Sequence, residues 1–112
     1  RFIGMPSMNM VAAGAIPSFS AQTSGRLPGD GFLGVRPEGL HLHQGHGAGV
    51  PGRVDLIESL GNDTLIHVDV GGVQLIARQN DRTPLKIGDD VGVELNPAVV
   101  HLFNHEGRTV AA

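Results

Sequence analysis

Three histidines in the pattern H-x-H-x-x-H, His41, His43 and His46, come nearest to a chemical site by residue type and spacing. Neutral imidazoles suit zinc, copper or nickel. They fall in Leu40 to Gly52, LHLHQGHGAGVPG, a glycine-rich run that reads as a loop. No carboxylate or cysteine stands close by in the sequence, so a solvated loop is the plainer reading and no metal is assigned. His67 alternates with apolar residues and belongs on the outward face of a strand, while His101 and His105 flank the last strand as structural residues. Ser, His and Asp all occur, but without a G-x-S-x-G elbow or a spacing that would make a triad more than coincidence. A phosphate-binding P-loop needs lysine before Ser or Thr, and the one lysine, Lys86, lies between Leu85 and Ile87. Asn62-Asp63-Thr64 matches a glycosylation acceptor but reads better as turn chemistry. No catalytic residue and no cofactor site are expected in this chain.

The elements that would position any site centre on Val54 to Gln79, VDLIESLGNDTLIHVDVGGVQLIARQ. Val54 and Leu56 sit two apart, and Leu60-Gly61-Asn62-Asp63 interrupts the run with turn residues. Ile66, Val68 and Val70 then alternate with His67 and Asp69, the period-2 signature of a half-buried strand. Gly71-Gly72 suits a two-residue primed turn, because glycine reaches positive φ without a Cβ clash. Val73, Leu75 and Ala77 complete a three-stranded meander whose apolar face needs a partner.

Around the meander the signals are shorter. Residues 11–30 read as loop or a weak edge strand, and Phe32 to Arg36 as a short strand that Pro37 ends. Thr83 to Asp90 is a connection turning at Gly88-Asp89. Val91, Val93 and Leu95 form a further strand, followed by a helical turn at Pro97–Val100, a last strand at Val100–Phe103 and a closing turn at Asn104–Gly107. Roughly five or six short antiparallel strands point to an all-β fold, a small OB-like barrel, since closure removes sticky edges.

Composition bounds the function. The 112 residues include 17 Gly and 7 Pro, carry a net charge of -3 with 17% charged residues, and contain no cysteine. Disulfide and thiolate chemistry are thereby excluded. Nucleic-acid binding on such a barrel uses aromatic platforms and a basic groove. Four Phe, no Tyr or Trp and a negative balance argue against that partner. No apolar run approaches the ~20 residues of a membrane-spanning helix. The chain opens on Arg1 rather than Met, as expected of a piece of a longer protein.

Five segments carry a resemblance: Phe2-Ile3-Gly4-Met5-Pro6-Ser7-Met8-Asn9; Gly34-Val35-Arg36-Pro37-Glu38; Glu58-Ser59-Leu60-Gly61-Asn62-Asp63-Thr64 with Ile66-His67-Val68; Arg78-Gln79-Asn80-Asp81; and His101-Leu102-Phe103 with Gly107. In this order they resemble the C-terminal regulatory domain of the ATP-binding subunit of ABC importers of the maltose and glycerol-3-phosphate type. The likeness implies a transport-associated OB (TOBE) barrel over 32–112, with 1–31 as an irregular lead-in from an ATPase domain. Only residues 10–33 stand where that family places about two more strands. The barrel is therefore expected to be cut down or completed by a second chain.

The resemblance further implies a non-enzymatic module, with ATP and Mg belonging to the parent subunit, on the cytoplasmic face of the inner membrane. Its partners would be a second copy of the subunit, membrane-spanning subunits reached through the ATPase domain, and a regulatory protein. The solute would be a sugar or sugar phosphate. The runner-up is a barrel that binds small oxyanions such as molybdate or sulfate, for which one lysine is a poor donor inventory. Gly34, Arg36, Pro37, Glu38, Glu58, Gly61 and Thr64 are fold determinants in this reading, with Arg36 and Glu38 pinning the crossover between barrel halves.

Overall fold

The computed structural model describes residues 8–21, 29–45, 47–80 and 83–109. The fold is all-β, built from a five-stranded antiparallel sheet and a three-stranded one. The central meander is β4 (Val50–Ser59), β5 (Thr64–Val70) and β6 (Val73–Gln79). Gly71 and Gly72 both take positive φ, 58° and 89°, and close the β5–β6 hairpin between Val70 and Val73. Asp69 Oδ1 accepts the Gly72 N–H at 2.9 Å, which fixes the turn.

One irregularity corrects the simple alternation of Val54 and Leu56. The register of β4 against β5 shifts between these residues, a β-bulge at Asp55. Val54 is therefore 1% exposed while Leu56 is 44% exposed, and Ile57 takes the place opposite Ile66.

The Leu40–Gly52 run is not a loop. Leu40–Gln44 is β3, paired with β7 (Asp90–Leu95), and β4 already begins at Val50. Glycine hides this strand from composition, and it also holds the short turn between β3 and β4 in place. A Cβ on Gly92 would collide with the Ala48 carbonyl, and one on Gly49 would sit 2.6 Å from the Val93 oxygen. The turn thus folds tightly onto β7, contrary to the expectation of an unconstrained segment.

Residues 11–30 are more regular, where described, than their sequence suggests. Asn9–Ala12 is β1, antiparallel to β2 (Phe32–Val35), and Pro17–Ala21 is a short helix, α1. Val11, Ile16 and Phe19 from this stretch join the same core as Val54, Ile66, Val68, Leu75, Val91 and Val93. Burying side chains of this size contributes about 1.5–3 kcal/mol each. The lead-in is therefore part of what holds the fold.

The two sheets share one bent ribbon. β2 leads through a 3-10 turn at Pro37–Gly39 into β3, and β7 leads through a second at Pro97–Val99 into β8 (Val100–Phe103). β2 pairs with β8 and β3 with β7, so the two segments run antiparallel and bend together from one sheet into the other. Proline favours both corners because it supplies fixed φ where no ladder donor is needed.

Candidate functional site

Gly34, Arg36, Pro37 and Glu38 come together at the first of these corners. Gly39 N–H donates to the Arg36 carbonyl at 2.8 Å, and Asn96 N–H donates to the Gly39 carbonyl at 3.0 Å. A Cβ on Gly39 would come within 2.8 Å of the Val35 and Val99 side chains, so the glycine lets the Val99 methyl of the second corner pack directly on the first. Pro37 is buried, whereas Arg36 and Glu38 are exposed and no salt bridge joins them. Backbone hydrogen bonding and apolar packing are both present at the crossover. Gly34 is buried beneath Met8, Met10 and Phe103, and a Cβ there would lie 2.8 Å from Phe103 Cε2.

Glu58, Gly61 and Thr64 gather at the opposite feature, the β4–β5 turn. Gly61 has φ 91° as the turn requires, and Leu60 N–H donates to the Asp63 carbonyl at 2.7 Å. Thr64 is buried at 8% exposure. Glu58 reaches across to His67, Oε1 to Nε2, at 2.5 Å, so this strand histidine is half-buried and partnered. Asp63 also receives the Arg78 guanidinium, Nε at 3.0 Å together with Nη2. Arg78 thus ties β6 to the turn that leads into its neighbour β5.

His41 and His43 both stand on the outward face of β3, while His46 lies outside the described residues. His43 Nε2 meets Glu94 Oε1 at 2.9 Å. As the side chains stand, no three His, Asp or Glu groups converge to hold a metal among the described residues. His105 pairs with Asp30 at 3.3 Å on the surface, and the His101 ring leans on Phe103 with centroids 6.4 Å apart.

Two sites escaped the sequence reading. The first is Asn9. Its Nδ2 donates to the carbonyls of Val35 at 3.1 Å and Ile76 at 2.9 Å, and its Oδ1 accepts the Ile76 N–H at 2.8 Å. The side-chain amide thus acts as a strand residue on the outer edge of β6 and joins the two sheets. The one available signal was its place at the end of the Met8-Asn9 segment. The second is the spacing G-x-G-x-x-G, which occurs at Gly47, Gly49 and Gly52. It opens strand β4 and no helix, so no helix N-terminus is there to cradle a pyrophosphate.

The motifs thus lie at corners and turns that define one topology, and comparison with known proteins identifies it. The TOBE domain sequence model matches residues 33–103, from β2 through β8. The chain belongs to the TOBE domain family. Its relatives include the uncharacterized ABC transporter ATP-binding protein y4oS of Sinorhizobium fredii, 32% identical over 117 positions that span 92% of this chain and 31% of that protein. The maltose/maltodextrin import ATP-binding protein MalK of Mannheimia succiniciproducens is 30% identical over 95% of this chain and 34% of its own length. The sn-glycerol-3-phosphate import ATP-binding protein UgpC of Brucella abortus is 32% identical over 98% of this chain and 33% of its own length. This TOBE chain therefore spans about a third of the length of the curated relatives it matches. No helix among its described residues is long and apolar enough to cross a membrane.

Proposed function

We propose that this TOBE chain is the regulatory, dimer-stabilising module of the ATP-binding subunit of an ABC importer. The solute is of the sugar or sugar-phosphate type, and the module works at the cytoplasmic face of the membrane. The observation that carries the reading is the TOBE match over 33–103 joined to relatives named as import ATP-binding proteins. In this reading ATP and Mg are held by the ATPase domain, and no step of hydrolysis falls to residues of this chain. Its partners are a second copy of the subunit, the membrane-spanning subunits through the ATPase domain, and a regulatory protein. Nucleic acid is not among them.

The physical role is coupling. A module whose two sheets are tied at the Pro37 and Pro97 corners and again through Asn9 moves as one body. Contacts it makes in one arrangement of the ATPase pair and not in another bias that equilibrium, by ~1–3 kcal/mol or roughly 5–150-fold in affinity for typical allosteric linkage. Deleting the module from the longer parent protein should leave basal ATP hydrolysis largely intact and weaken association of the two subunits within that range. Steady-state ATPase rates and sedimentation of the truncated protein measure both quantities. Loss of hydrolysis in a truncated protein that still folds and pairs would make the module catalytic and overturn the reading. Saturable binding of molybdate or sulfate by the chain in equilibrium dialysis would move it to the oxyanion-binding class instead.

A further inference from the structure

We propose that His41 and His43 of β3, with Glu94 of β7 across from them, form a surface site for a divalent transition cation of the zinc class. Residues two apart on a strand project from the same face, with about 6.5–7 Å of backbone rise between them. Imidazole side chains on that spacing can swing together to place a nitrogen each at about 2.0–2.1 Å from one ion. Glu94 is the register partner of His41, and residues directly opposite have Cβ atoms ~4.5–5.5 Å apart. Its carboxylate therefore serves both histidines, and it already meets His43 Nε2 at 2.9 Å. In the cation-bound form it either ligates directly or accepts the N–H of His43 and orients that ring, the usual outer partner of a metal-bound imidazole.

The surroundings favour the assignment. The residue opposite His43 is Gly92, and the Ala48 carbonyl fills the space where its side chain would stand, so the ion lies toward the exposed His41–Glu94 side. The ligands sit on strands fixed by Leu40, Val91, Val93 and Leu95, all buried. His43 and Glu94 are 42% and 54% exposed, so water can fill the remaining coordination positions and both side chains are free to turn. The other histidine–carboxylate pairs, His67 with Glu58 and His105 with Asp30, each offer one imidazole only. Two imidazoles and a carboxylate on one sheet face, an inventory suited to zinc, copper or nickel, occur here alone among the described residues. An ion bound here would clamp the edge strand β3 to β7. This inference stands independently of the transporter reading.

The test is calorimetric titration of the 112-residue chain with zinc chloride in a non-coordinating buffer, with the imidazole proton signals followed by NMR in parallel. One saturable zinc equivalent is expected, shifting the ring signals of His41 and His43. Binding should weaken at least tenfold in His41→Gln and in His43→Gln, and by about 10–100-fold in Glu94→Gln, the usual loss on removing an outer partner. His105→Gln and His46→Gln should bind as the parent does. Absence of saturable binding, or ring shifts confined to other histidines in the unsubstituted chain, overturns the proposal without any variant. So does full affinity in the doubly substituted His41→Gln/His43→Gln protein. Equal loss in His46→Gln would return the ion to the turn and count against the strand site.

Discussion

Gly61 and Gly34 are glycine for different reasons, and two substitutions at each position separate them. Gly61 has φ 91° with open space where a Cβ would go, so its constraint is backbone conformation alone. Gly34 has ordinary φ, but a Cβ would press on Met8, Met10 and Phe103. Gly61→Val should therefore destabilise by about 1–2 kcal/mol through left-handed backbone strain. Gly61→Asn should recover most of that, because a short polar side chain tolerates the conformation. Gly34→Ala should cost about 1–3 kcal/mol by overpacking, and Gly34→Asn should be worse still. Urea midpoints of the four variants decide the matter. Equal loss in Gly61→Asn and Gly61→Val would show that φ is not what selects glycine at this turn.

At the scale of elements, what could be read from the chain depended on how far a signal extends. β5 and β6 each alternate over several residues and are joined by Gly71-Gly72, so their existence and register were legible. β3 offers only Leu40 and Leu42 among glycines and histidines, and β1 and α1 are too short to establish any period. The bulge at Asp55 leaves no sequence mark and still turns Leu56 outward. Of the proposed cation site, the His41–His43 spacing was visible. Its carboxylate was not, because Glu94 lies 51 residues from His43 and pairing alone brings them together. Asn9 is the sharpest case, with partners 26 and 67 residues away. Its removal should be correspondingly costly: Asn9→Ala strands the Ile76 N–H and carbonyl in part-buried surroundings, at about 1–3 kcal/mol for an unsatisfied group. Native-state hydrogen exchange should show faster exchange at Ile76 and in β1, with β4 and β7 unchanged below the global limit. Uniform protection across both sheets in Asn9→Ala would mean that the amide bridge does not join them.

For the whole molecule the question is where a second copy would sit. The outer edge of β6 already receives Asn9, so strand addition at Ile76 is blocked and an apolar face becomes the better contact. Leu56, Leu60 and Ile87 are 44%, 47% and 64% exposed. Gly88 N–H bonds the Val54 carbonyl at 2.8 Å, which brings Ile87 alongside the bulged part of β4 that carries Leu56. Met10, 50% exposed, belongs to the other sheet and is the competing surface. We therefore expect reversible two-fold association through the Leu56–Ile87 side, since a two-fold contact doubles any apolar patch it uses. Leu56→Asp and Ile87→Asp should each weaken the dimer at least tenfold, about 1.4 kcal/mol, while Met10→Asp leaves it unchanged. Sedimentation equilibrium across the micromolar range measures all three. Sensitivity to Met10→Asp alone would move the contact to the three-stranded sheet, and a strict monomer at high micromolar concentration would remove self-association from the properties of this chain.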